Sequence, residues 1–363
     1  MLVGMIRQSF LALLVFLCAA HLAAQDAKPA SDEQDPCTKY LKTPLPTEAL
    51  AVAAPNAWPD CESYKSYNGL GRKMDYSATR QCAWSERLAQ QADLEPNYTA
   101  ESLFGGSAML TVLFANGEGV EQNKQLALRF ACESDLSPDG MTGIIALPNE
   151  PHVTQKKFVY CDYASSTADM NACAEYEDGI TAQKRQNELD TLSSRWPQAD
   201  KDALAALEKA SEDYVQAHGE GEVYQGGTIR YLRMNGVEER QRDNFLAAVR
   251  KFESGQLPAG TEAEYKKADS DLNATYKSVL DLAARQNFTE DYGDIRPEGI
   301  QKAERAWLKY RDAWVAFAKL HYPQTNSSAW LTLLTRNRYW SLRITLCELG
   351  WSDPACKHVS IDD

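Results

Sequence analysis

The sequence predicts an all-α protein: a short α-hairpin repeat domain followed by antiparallel helical bundles, stabilised by disulfides. Three observations carry this expectation. From Thr167 to Leu349 apolar residues return at three- and four-residue steps almost without interruption, the spacing of one helix face. Leu103 to Glu133 divides into two such segments around a glycine-bearing turn. Eight cysteines remain once an N-terminal leader is set aside, an even set of the kind that forms disulfide frameworks in oxidising compartments.

The leader comes first. Arg7 precedes the uncharged apolar run Phe10 to Ala20, and small residues stand at Ala23 and Ala24, which is the order of a secretory signal over residues 1–24. Its apolar core is about half of the roughly 20 residues that cross a bilayer, so a cleaved signal is expected and not a membrane anchor. Leu17 fills the position before Cys18 where lipoprotein signals place a small residue, which argues against lipid attachment. A periplasmic or secreted product without stable membrane insertion follows. The 363 residues are 44% hydrophobic and 10% aromatic, enough for globular cores, and the net charge of −13 disfavours nucleic acid and favours a basic partner.

Residues 25–74 form an irregular leader, polar at first and then punctuated by Pro44, Pro46, Pro55 and Pro59 between Cys37 and Cys61. Residues 75–136 form a helical region. Tyr76 to Gln91 places Ala83, Arg87 and Gln90 on one helical face, with Trp84 and Leu88 beside it. Leu103 to Glu133 then supplies the hairpin, with Asn116-Gly117-Glu118-Gly119 as its turn. A proline- and glycine-marked link is expected over 137–166. Residues 167–255 start with a helix near Thr167 that ends before Pro197. A second helix runs from Asp200 to a glycine-rich break between Gly219 and Gly227, and a third spans Val237 to Phe252. Residues 260–350 repeat the scheme with helices around Glu264 to Gln286, Ile300 to Tyr322 and Trp330 to Leu349, before a tail at 351–363. Leu207-Glu-Lys-Ala-Ser-Glu-Asp-Tyr214 aligns with Ile300-Gln-Lys-Ala-Glu-Arg-Ala-Trp307, so the two regions read as degenerate copies of one unit.

Two resemblances sharpen these expectations. The order of Ala108, Leu110, Leu113, the Gly117 and Gly119 pair, Val120 and Ala127 resembles a Sel-one-like repeat, which implies a protein-binding scaffold. In the second half, Met170-Asn171-Ala172-Cys173-Ala174 is followed by Tyr265-x-x-Ala268-Asp269-x-x-Leu272-Asn273-x-x-Tyr276. Then come Gln301-Lys302-Ala303-x-x-Ala306-Trp307-x-x-Tyr310-Arg311-Asp312 and Leu334-Thr335-x-x-Arg338-x-x-x-Leu342. This series resembles the LprI-like family of secreted lysozyme inhibitors, a widespread domain of otherwise unknown function. The resemblance implies inhibition of a basic lysozyme by surface blockade. It departs from the family pattern at Trp314, near a position where the family carries a cysteine, and at Leu331, which has no cysteine beside it. On that comparison one bridge is lost and Cys173 turns to another partner such as Cys161.

The chemistry-bearing residues are therefore mainly structural. Cys37, Cys61, Cys82, Cys132, Cys161, Cys173, Cys347 and Cys356 are disulfide candidates, with connectivity open; the short-loop neighbours Cys161–Cys173 and Cys347–Cys356 are reasonable pairs. Trp307, Tyr310, Arg311, Asp312 and Trp314 read as a core face with an internal arginine–aspartate contact, and Arg338 is expected to pair with Asp312 or Asp269 between helices. Asp269 and Asn273 complete the motif set. No cysteine pair or histidine spacing suits a metal, no motif suits a cofactor, and no carboxylate pair or nucleophile motif stands out, so an enzyme is not expected. The reading is a non-catalytic protein binder: a lysozyme or wall-hydrolase inhibitor, or a scaffold that docks an envelope protein through the hairpin.

Overall fold

The computed structural model describes residues 37–50, 61–92, 104–134, 136–147, 157–286, 294–350 and 356. Among them there are twelve helices and no strand. The leader expected at 1–24, the stretch 25–36, Pro55 and Pro59 lie outside the described residues.

The first six helices build an N-terminal unit: α1 (Cys37–Tyr40), α2 (Ser63–Asn68), α3 (Tyr76–Ala92), α4 (Gly106–Asn116), α5 (Lys124–Glu133) and α6 (Pro138–Ala146). The glycine turn forms between α4 and α5, where Gly117 and Gly119 both adopt positive φ, a conformation that glycine takes without steric cost. Asn123 accepts from the Leu126 amide and starts α5. The core gathers Trp84, Leu110, Leu113, Phe114, Phe130 and Ile144. Arg87 is buried with them, and its guanidinium donates to both oxygens of Glu133 at 2.6 and 2.9 Å. Residues 137–166, expected as a link, instead carry α6, started by Ser137 and Pro138, and a 3-10 turn at Tyr160–Tyr163. Met141, Ile144, Phe158 and Tyr160 from this stretch enter the core. The prolines and glycines that punctuate the stretch account for the mismatch, because they outweigh the single i, i+3, i+4 group Met141, Ile144 and Ile145 in a reading of the sequence.

Six long helices follow: α7 (Thr167–Ser193), α8 (Gln198–Glu222), α9 (Arg230–Glu253), α10 (Glu262–Ala283), α11 (Pro297–His321) and α12 (Ser327–Glu348). Capping boxes start α7, from Ser166 and Asp169, and α10, from Thr261 and Glu264; Asn326 caps α12. These helices form two triplets with one scheme. In each, the first and third helices run parallel and the middle helix runs against them. The pairs Asp178 with Asn235 and Glu188 with Arg250 show this for α7 and α9; Glu262 with Ser328 and Gln286 with Leu349 show it for α10 and α12. The two middle helices, α8 and α11, pack antiparallel along their length. Their interface stacks Tyr214 on Tyr310, pairs Glu220 with Lys302, and brings Asp200 to His321. An aromatic core of Phe245, Phe252, Trp314, Phe317, Tyr322 and Trp330 fills one end of the six-helix body. Tyr214, Ile300, Trp307, Leu342 and Leu346 fill the other.

The glycine-rich break expected from Gly219 opens only after Glu222. Gly219 and Gly221 lie within α8 because a neighbour comes too close for a side chain: a Cβ on Gly221 would stand 2.5 Å from the Gly299 carbonyl oxygen of α11. Four disulfides tie the chain, Cys37–Cys132, Cys61–Cys82, Cys161–Cys173 and Cys347–Cys356. Both short-loop pairs are among them. Cys37 and Cys61, which flank the proline-marked leader, each reach instead to a helix of the N-terminal unit.

Candidate functional site

α10 and α11 touch only sparsely, although each packs on α12, and a groove of about 300 Å³ opens between them. α10 contributes Asp269, Leu272, Asn273 and Tyr276; α11 contributes Gln301, Glu304, Arg305, Trp307, Leu308 and Arg311. Helical spacing explains the lining: 269, 272, 273 and 276, like 301, 304, 305 and 308, are neighbours on one helix face. Four of the seven motif residues, Asp269, Asn273, Trp307 and Arg311, therefore meet at one place.

Within the groove the polar groups are ordered. Asn273 donates its amide to the Asp269 carboxylate at 3.1 Å and to the Asp269 carbonyl oxygen at 2.8 Å. The Arg311 guanidinium lies 5.4 Å from the Trp307 ring centroid and donates to Asp312 at 2.8 and 2.9 Å. Trp307 is 2% exposed, so it forms the floor and offers little surface.

The remaining motif residues point elsewhere. Tyr310 turns toward α8 and stacks on Tyr214, with ring centroids 5.6 Å apart; burial pushes its hydroxyl up to about 12. Asp312 is exposed. Arg338 pairs with neither Asp312 nor Asp269, contrary to expectation. It is fully buried behind the groove, where its Nη1 and Nη2 donate to Glu222 at 2.7 and 2.6 Å and its Nε donates to Glu304 at 2.9 Å. The correction has a simple cause. Asp269 and Asp312 sit on outward faces of α10 and α11, whereas position 338 faces inward, and a buried guanidinium needs carboxylates buried with it.

Around this pair most inner polar groups are hydrogen-bonded, although the buried Oε1 of Gln241 has no partner. Tyr214 lies 3.2 Å from Arg338, and burial raises its pKa. His218 lies between Gln241, at 2.7 Å from its Nδ1, and Ser341, at 3.1 Å from its Nε2; burial lowers its pKa to about 4, so the ring is neutral near pH 7. Glu304 is held above the usual carboxylate range by burial, with Arg338 opposing the shift. Sequence reasoning passed over Glu222 because it stands in the Gly-Glu-Gly-Glu run read as a break. Glu304 carries no motif of its own, and its i, i+3 relation to Trp307 is the signal that places it on the inner side of α11.

A second groove of about 610 Å³ lies where the N-terminal unit meets α7, lined by Tyr64, Lys65, Arg72, Glu175, Tyr176 and Gln183 among others, with no motif residue. No group of three or more histidine, cysteine, aspartate or glutamate side chains among the described residues is arranged to hold a metal ion.

Comparison with known proteins bears on the first groove. Over 57 residues the chain is 40% identical to an uncharacterised protein of Rhizobium meliloti (strain 1021), a match covering 14% of this chain and 40% of that relative. The chain thus spans less than half the length of this curated relative. No solved structure matches the chain. Residues 254–340, which run from the end of α9 through most of α12 and hold the whole α10–α11 groove, match the family model of the lysozyme inhibitor LprI.

Proposed function

We propose that the chain is an exported protein that binds a lysozyme or related wall hydrolase and inhibits it by covering its surface, with the α10–α11 groove in the binding face. The observation that carries the reading is the convergence of two facts: residues 254–340 match a lysozyme-inhibitor family, and motif residues from two helices of that stretch line one groove. Four disulfides support an oxidising, extracytoplasmic location. Among the described residues no helix is long and apolar enough to cross a membrane.

The distribution of charge supports a basic partner in a particular way. Residues 167–222 hold 13 Asp and Glu against 5 Lys and Arg, whereas residues 254–340 hold 11 against 12. In this reading the acidic α7–α8 hairpin attracts the partner from a distance, and the nearly neutral second triplet makes the close contacts. The repeated scheme of the triplets supports treating 167–255 as a degenerate copy of 260–350. Docking through the Sel-one-like hairpin is the weaker reading, because α4 is buried along nearly all of its length and offers no open face.

The test is a lysis assay. Mature protein should slow the clearing of a cell-wall suspension by a basic lysozyme in proportion to dose, and the effect should weaken as salt rises. Undiminished lysis at large molar excess of the protein would remove the proposal.

A further inference from the structure

We propose that the α10–α11 groove receives a cationic side chain, an arginine or a lysine, presented by the protein partner. The inference rests on the protein-binding reading above and names the chemistry of the contact.

The reason lies in an imbalance of charge behind the groove wall. Glu222 and Arg338 are both fully buried, and Glu222 neutralises the guanidinium through two short hydrogen bonds. Glu304 bonds to the same guanidinium through Nε. Two carboxylates thus share one cation. His218, 3.5 Å from Glu222, is neutral and does not redress the balance. The surplus negative charge belongs to Glu304, whose side chain is 14% exposed and lines the groove. Carboxylates taken out of water without a full complement of cations are destabilised, and an arriving cation relieves that.

The opposite wall points the same way. Asp269, the carboxylate contributed by α10, is bonded by Asn273 at one oxygen. Tyr276 supplies a ring face of the kind that holds cations, whereas the buried Trp307 ring is already covered by Arg311. Two arginines of the chain also line the groove. Arg311 is bound to Asp312 and acts on Glu304 only through space, as the smallest of the influences on that carboxylate, and Arg305 is exposed, where water and salt screen it. At about 300 Å³ the groove has room for a side-chain head and stem, but the partner's main chain stays outside.

The experiment titrates the full mature chain with capped tripeptides carrying a central arginine, lysine or glutamate, followed by NMR at the groove. The arginine and lysine peptides should bind saturably and the glutamate peptide should not. Asp269→Asn should weaken binding by about tenfold, with Asp281→Asn, an exposed carboxylate of α10 outside the groove, unchanged. Glu304→Gln should act like Asp269→Asn; if its near-ultraviolet circular dichroism shows misfolding, Asp269→Asn alone decides. Equal binding of arginine and glutamate peptides, or wild-type binding by Asp269→Asn, would overturn the inference. Lysis inhibition separates the two proposals. Inhibition that is unchanged in Asp269→Asn would leave the inhibitor reading standing and remove this one; specific arginine binding without inhibition would do the reverse for lysozyme as the partner.

Discussion

At the scale of single residues, the buried cluster around Arg338 makes the second triplet depend on the first, since Glu222, Tyr214 and His218 all belong to α8. His218 gives this a measurable signature. Its ring takes up a proton near pH 6.5 in an unfolded chain and near 4 in the folded one, because burial disfavours the charged form. Between those values the unfolded chain binds more protons, so stability falls as pH drops through the window, by on the order of 3 kcal/mol in all. Glu304, with its raised pKa, acts in the opposite sense, so the comparison must be between variants. Urea unfolding at pH 7 and pH 4.5 should show a smaller pH effect for His218→Gln than for the wild type. Equal slopes in the two proteins would remove His218 as the cause.

Between whole elements, α8 and α11 cross in close contact at Gly221 and Gly299. A Cβ on Gly221 would meet backbone of α11 and could not be accommodated by a side-chain adjustment. Gly221→Ala should therefore cost about 1–3 kcal/mol in chemical denaturation. Gly179→Ala on α7, where a Cβ meets nothing within 4 Å, should stabilise by roughly 0.5–1 kcal/mol. If both substitutions have the same sign, helix propensity and not the crossing governs Gly221. The same glycines mark the boundary of what was legible. The long helices could be read because each offers many turns of periodic apolar residues, and Trp307, Trp314 and Leu342 fall on the inward faces the period assigns. A glycine inside a helix looks like a break until its neighbour is known, and position 299 lies 78 residues away from 221 in the chain. The groove was half legible for a similar reason: motif spacing puts Asp269 beside Asn273, but nothing in the spacing tells which carboxylate Arg338 meets across three helices.

On the scale of the molecule, the two halves are held by different means. Three of the four disulfides lie between Cys37 and Cys173, within the N-terminal unit and at its junction with the start of α7, whereas beyond α7 the long helices carry one, Cys347–Cys356, near their end. Each bridge should add about 2–4 kcal/mol by restricting the unfolded chain. Reduction should consequently split thermal unfolding in two, with the N-terminal unit melting first and most far-ultraviolet helix signal surviving to higher temperature. A single transition shifted as a block, or no shift with reductant, would contradict this division.

The arrangement of those bridges also bears on how the protein is made. Cys37–Cys132 encloses Cys61–Cys82, so among the eight bridged cysteines the first to be synthesised is not the mate of the second. Cys37 meets Cys61 and Cys82 well before Cys132 is made, and premature union with either must be undone by thiol exchange. Cys161–Cys173 and Cys347–Cys356 join consecutive cysteines and face no such competition. Maturation of the N-terminal unit should therefore be faster with a catalyst that reshuffles sulfur pairs, and oxidative refolding without one should accumulate chains with a misjoined front half and a well-formed rear.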